Sequence, residues 1–209
     1  TTAQLYQERM ISREEAQYLL TFCNNASPMF LIEYMGIHCM ELKYPVVLLG
    51  MIYLSAFLGT LLFRKKHFQK GDCRLKPCAS QKQPVIVSLD ESILDAFVTI
   101  TKVGGYIMLF SILAQVTAEL MPFSAFVKYI GIGILEITTG GAVFAGSVVP
   151  EAVRNSILAG LCAFGGLSSV AQTASVLGET DLSVKKYFLA KLIQMAVAFS
   201  FAFLWFYLF

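Results

Sequence analysis

The sequence predicts an all-α, polytopic membrane helical bundle with discontinuous helices, a re-entrant hairpin and inverted repeats. Three observations lead there. Hydrophobic residues fill 56% of the 209 positions and charged residues only 14%, with 17 Phe and 9 Tyr, an apolar excess beyond that of an ordinary soluble domain. Three stretches, 45–63, 103–121 and 184–209, reach the roughly 20 mostly apolar residues that a spanning helix needs. Other segments are apolar enough for a bilayer yet are interrupted by Gly, Pro, Asn and Ser. Non-helical backbone at that depth is tolerated only where protein buries it or where it faces a cavity.

Charge placement sets the topology. The net charge of +2 gives no footprint for nucleic acid, because the Lys and Arg residues are gathered between spans. Residues 64–84 carry Arg64, Lys65, Lys66, Lys70, Arg74, Lys76 and Lys82 against one acid, Asp72, so this short basic loop is expected in the cytoplasm. The span 45–63 then runs inward and 103–121 runs outward. Lys185, Lys186 and Lys191 open the last span on the inner side, and Trp205, Phe206 and Tyr207 reach the far interface. Residues 89–102 place Ile93, Leu94, Phe97 and Ile100 on one helical face and Asp90, Glu91 and Asp95 on the other. That pattern fits an interfacial helix as well as an inward extension of the span.

The interrupted segments follow one grammar. Ser12-x-x-Glu15 is a capping box that opens a helix through Leu19, Leu20 and Phe22. The helix meets Asn24-Asn25-Ala26-Ser27-Pro28, where Ser at a cap and Pro at the first helical position start a second helix. Each half is about 12 residues, or about 18 Å long, which puts the break near mid-membrane. Late in the chain a helix over 152–164 is interrupted at Gly165-Gly166-Leu167-Ser168-Ser169 and resumes over 170–177. Similar distances separate Pro28 from the span at Pro45 and Ser168 from the span at Val184. The two units start from opposite sides, the inverted-repeat plan of many secondary transporters. Between them, residues 123–149 enter after Pro122 and break at Thr138-Thr139-Gly140-Gly141, as a hairpin that dips and returns. The predicted organisation is therefore 1–63 as the C-terminal part of a first repeat, with a broken helix over 12–40 and a span over 45–63. The basic loop 64–84 follows. A second repeat occupies 85–209, with a span at 103–121, a hairpin at 123–149, a broken helix at 151–178 and a span at 184–208. A matching hairpin is expected upstream of Thr1.

Half-helices starting near Ser27-Pro28, Thr139-Gly140 and Ser168-Ser169 would present free N–H groups and partial positive charge, an anion site without Lys or Arg. Asn24, Asn25, Ser27, Thr138, Thr139, Ser168, Ser169 and Gln172 are the candidate substrate-binding residues. Small polar residues of this kind also glue helices together in lipid. Glu136, deep in the hairpin and expected at the carbonyl end of its first arm, is the candidate ion-coupling residue for H+ or Na+; a brace for the hairpin tip is the structural alternative. Glu33 is a weaker candidate of the same kind, while His38 and Glu41 fit a solvated outer interface. Gly104-Gly105 and Gly131-x-Gly133 read as close helix packing.

No Gly-x-Ser-x-Gly, His-Glu-x-x-His or phosphate-loop pattern occurs, so the sequence offers no enzyme constellation and no cofactor motif. Of the five Cys, only Cys73 and Cys78 are neighbours, at a spacing foreign to zinc sites. The partners to expect are membrane lipid, a small anionic solute and a coupling H+ or Na+.

Ser12-Arg13-Glu14-Glu15-Ala16, Asn24-x-x-Ser27-Pro28-Met29-Phe30, Leu135-Glu136-Ile137-Thr138, Phe164-Gly165-Gly166-Leu167-Ser168 with Ala171-Gln172, and Asp181-Leu182-Ser183, in this order, resemble the sporulation integral membrane proteins of the YlbJ type, within the nucleoside-recognition or Gate-domain superfamily. The resemblance runs from Thr1 to the last span, and members of that family are about twice this length. It implies a role in endospore formation, in the outer forespore membrane, linked to movement of dipicolinic acid. That solute is a small dianion, of the charge a helix-terminus site favours. The competing class is a non-transporting membrane scaffold for spore envelope assembly, which has no need of opposed polar breaks at mid-depth.

Overall fold

The computed structural model describes residues 2–7, 9–63, 85–120, 122–178 and 180–208, with side chains from residue 89 onward in the third of these segments. The basic loop 64–84, with Cys73, Cys78 and His67, lies outside the described residues. Every described element is helical, and three helical stretches are long and apolar enough to cross a membrane: Leu89–Leu120, Glu151–Leu177 and Val184–Leu208. The chain is thus an all-α polytopic membrane bundle.

Ser12 caps helix α2 (Arg13–Cys23) as the sequence predicts. Its side chain accepts from Glu15 N, and the Glu15 carboxylate accepts from Ser12 N. A short helix α1 (Thr2–Gln7) precedes it. Tyr6 and Arg13 both bind Asp181, at 2.7 and 2.6 Å, tying this end of the chain to the connection before the last span. After the break at 24–27 the chain resumes as a π-helix (Phe30–Cys39) rather than the α-helix expected. Its wide turns end in bonds from Met40 N to Met35 O and from Leu42 N to Gly36 O. Gly36 lets Pro45 pack directly on this turn, for a Cβ there would stand 2.7 Å from Pro45 Cβ. π-helices are rare and concentrate at functional sites.

Helix α3 (Val46–Phe63) follows, and then α4 (Val85–Leu120), one unbroken helix of 36 residues. Of the two alternatives for 89–102, the inward extension is the one found, and the span 103–121 is only its second half. Leu94, Phe97, Ile100, Met108 and Ile112 are all exposed along it, as lipid-facing side chains are. A Cβ on Gly104 or Gly105 would meet open space, so this pair does not mark close packing.

The hairpin is α5 (Ala125–Leu135) and α6 (Ile137–Ala145). Its arms touch backbone to backbone, because a Cβ on Gly140 would stand 2.3 Å from Gly133 Cα. Thr138 to Gly141 is therefore helix, not break. The two glycines are there for contact with Gly133 and, at Gly141, with Met35 and Cys39.

Helices α7 (Glu151–Phe164) and α8 (Gly166–Leu177) are separated by Gly165 alone, at φ +81, with Gly166 at φ +76. The break is narrower than the five residues predicted, since two consecutive left-handed glycines end one helix and start the next without a loop. Helix α9 (Val184–Leu208) closes the bundle. It runs antiparallel to α3. Gly59, late in α3, lies against Gln194, early in α9, while Leu48, Met51 and Ile52 share the main core with Ala198 and Ala202.

Candidate functional site

Glu136 is the whole of the hairpin break. Its backbone is extended (φ −147, ψ 123), its N–H closes α5 on Ile132 O at 2.8 Å, and its side chain caps α6. The carboxylate accepts from Thr138 N at 3.0 Å, Thr139 N at 2.7 Å, Thr139 Oγ1 at 2.9 Å, and also from Thr138 Oγ1. It is 1% exposed. The sequence placed Glu136 at the carbonyl end of α5 and the new half-helix at Thr139-Gly140. The structure puts Glu136 at that end and at the amide end of α6 together, so the chain's own carboxylate fills the position where a helix N-terminus would draw an external anion.

At the first break the Ser27 side chain accepts from Phe30 N at 3.2 Å, the cap that Ser-Pro predicts. Asn24 donates through Nδ2 to Thr173 Oγ1 at 2.7 Å and to Tyr187 OH at 2.8 Å. Asn25 Nδ2 donates to Phe22 O at 2.6 Å, which turns its Oδ1 toward Lys191, whose ammonium donates to it at 2.9 Å.

At the third break α8 begins with no side-chain cap. Ser168 is buried and accepts from Gln172 Nε2 at 3.1 Å, while Ser169 O accepts from Thr173 Oγ1 at 2.9 Å. Gly166 passes so close to the hairpin that a Cβ there would stand 3.2 Å from Leu135 O and 3.5 Å from Glu136 Cα.

The elements around the three breaks are therefore tied to one another. Asn24 and Thr173 join the first to the third, Gly166 and Glu136 join the third to the second, and Tyr34 OH donates to Thr138 O at 2.8 Å to join the π-helix to the hairpin. Thr139 adds a bond to Ser111 of α4 at 3.0 Å. Beside this junction Met29, Phe30, Glu33, Tyr34 and His38 line an open, shallow face of the π-helix. Ser27 stands apart, exposed and bonded within its own turn.

Four residues at the junction are absent from the sequence-derived set: Thr173, Tyr187, Lys191 and Gln194. The last three form a stripe at i, i+4 and i+7 of α9, all essentially buried, and one polar stripe on an apolar span is a legible signal. Lys191 was counted with Lys185 and Lys186 as an inner-interface charge. Those two are exposed, whereas Lys191 is 2% exposed. Gln194 Nε2 donates to Thr21 O, and its Oε1 has no partner among the described residues.

No family model matches the chain, and no solved structure matches it. Among curated proteins it is similar to the sporulation integral membrane protein YlbJ of Bacillus subtilis (strain 168), at 27% identity over 230 residues, covering 92% of this chain. The chain spans 56% of that protein's length. This similarity, over 92% of the chain, supports a YlbJ-type assignment.

Proposed function

We propose that the chain is the broken-helix portion of a membrane transporter of endospore formation, in the outer forespore membrane, which moves a small anionic solute by alternating access. The observation that carries this reading is the junction itself: three interrupted helices, two of whose breaks abut at Gly166 and Glu136, tied together by neutral polar side chains. A scaffold gains nothing from breaking three helices at one place, since each break gives up backbone hydrogen bonds that hydrocarbon does not replace. Alternating access needs such breaks, because rocking one repeat against the other must open a path without unfolding a span.

Of the three half-helix starts, α6 is already capped by Glu136 and the π-helix start by Ser27, which leaves the uncapped start of α8 as the donor set for the anion. Ser168, Ser169 and Gln172 lie in its first two turns, Asn24 bonds Thr173 in the second turn, and Asn25 bonds Lys191, which reaches Ala163 O just before the break. Dipicolinic acid, the solute implied by the resemblance, is the substrate we favour. Glu136 is the coupling carboxylate for H+ or Na+. Neutralising it would release the cap on α6 and free the hairpin to move.

Uptake of dipicolinate into vesicles holding the full-length protein tests the reading. Accumulation above empty vesicles is expected, and it should fall when Gln172 is replaced by Leu. Equal signals with and without protein would leave the scaffold reading. Glu136→Gln separates binding from coupling: equilibrium binding of dipicolinate should persist while gradient-driven accumulation is lost. Normal accumulation at every imposed gradient would return Glu136 to the role of a brace.

A further inference from the structure

The Lys191 ammonium stands between the two broken helices with no ion-pair partner among the described residues. Its acceptors are Asn25 Oδ1 at 2.9 Å and Ala163 O at 3.4 Å, and the Tyr187 ring lies beneath it at 6.0 Å. Among the described residues the ion pair is Arg13 with Asp181, and it lies at the bundle end. A buried charge is costly unless paired or fully hydrogen-bonded, so this site has a lysine for a specific reason.

The reason lies in what the ammonium touches. Ala163 is in the last turn of α7, and its carbonyl belongs to the partially negative end of that half-helix. Asn25 is held by Phe22 O, in the last turn of α2. One cation thus reaches the C-terminal end of α7 directly and that of α2 through Asn25, one in each half of the chain. Its ligands are neutral oxygens, the set that suits a monovalent cation, whereas Ca²⁺ and Mg²⁺ sites draw on carboxylates. Broken-helix transporters hold free coupling cations with unwound carbonyls and half-helix C-terminal ends of this kind.

We propose that Lys191 is a tethered cation filling a monovalent-cation position between the two broken helices, so that the bundle closes without a free alkali ion. The inference rests on the transporter reading for its meaning in a transport cycle, and it selects H+ over Na+ as the coupling ion. Its chemistry stands on the geometry alone.

The test is cation dependence of folding stability, which requires no substrate. The full-length protein in detergent should unfold at the same temperature in sodium, methylammonium and choline chloride at equal ionic strength. Lys191→Ala leaves a space shaped for a small cation. It should unfold at lower temperature in choline and recover most of the loss in methylammonium or sodium. Lys191→Arg keeps a tethered charge in a larger head, and its unfolding temperature should be lowered equally in all three salts. If Lys191→Ala is not recovered folded in choline, the monodisperse fraction recovered in methylammonium becomes the readout, and recovery in neither salt overturns the proposal. So does a Lys191→Ala protein indifferent to the cation, or an unmutated protein stabilised by sodium over choline. A protein that fails to take up dipicolinate yet shows methylammonium rescue would retain the tethered cation and lose only the transporter reading.

Discussion

The hairpin break and the first helix break solve the same problem in opposite ways. At Glu136 every donor to the carboxylate comes from within three residues, from Thr138 and Thr139. At Asn24 and Asn25 the partners that matter are Thr173, Tyr187 and Lys191, which are 149 to 166 positions away. The first kind of break is complete as soon as its own segment folds. The second is complete only when the two halves of the chain dock. A locally satisfied break can travel as a unit, and a break satisfied across halves records whether they are together.

The largest expected effect breaks the local site. Glu136→Ala leaves the donors of Thr138 and Thr139 unsatisfied in a buried place and should cost about 3–5 kcal/mol, read as a large drop in thermal unfolding temperature in detergent. Asn24→Ala should cost about 1 kcal/mol. The sharper measurement is a double-mutant cycle of Asn24→Ala with Thr173→Val, where a coupling of about 1 kcal/mol is expected for two residues in direct contact. Asn24→Ala combined with a variant at Glu136 should instead be additive within about 0.5 kcal/mol. Additivity in the first cycle, or strong coupling in the second, would erase the distinction between the two breaks.

The smallest effect lies outside the membrane, where α1 meets the connection before α9. The hydroxyl of Tyr6 and the Arg13 guanidinium hold the Asp181 carboxyl below its ordinary range, with the Tyr6 bond the larger cause. A carboxyl depressed by folding adds its stabilisation above its ordinary pKa and loses it as pH falls through the folded value. Tyr6→Phe should therefore move the Asp181 titration upward toward the ordinary carboxylate value, as read by carboxyl NMR. The uptake measured in vesicles should not change, since these groups are exposed and remote from the junction.

What the sequence made legible was local chemistry. Ser12 with Glu15 and Ser27 with Pro28 act over three or four residues, and both appear where the pattern put them. The hairpin break was displaced because Thr-Thr-Gly-Gly reads as a helix breaker on propensity. Tertiary contact overrides that preference: Gly140 must be Gly to meet Gly133, and Glu136 supplies the cap that Thr138 and Thr139 need. Lys191 was hidden among interface lysines because residue type and position along the span were its only visible properties. Its partners Asn25 and Ala163 come from other helices, and no spacing rule within one helix reports them. The π-helix was equally invisible, since an i→i+5 register follows from packing around Gly36 and Pro45 rather than from any residue preference.

Gly141 rests on Met35 and Cys39, so that its α6 backbone faces two sulfur atoms of the π-helix rather than branched carbons; a Cβ there would stand 2.9 Å from Met35 Sδ and 3.1 Å from Cys39 Sγ. Sulfur is soft and polarisable, and an unbranched thioether repacks at low cost. Interlocked β-branched side chains would hold α6 like gear teeth. This seam offers instead soft, unbranched contacts that repack at low cost if the returning arm of the hairpin shifts. Oxidising Met35 to the sulfoxide would put a polar oxygen into that buried seam and would disturb the packing of the hairpin on the π-helix without touching any residue of the junction.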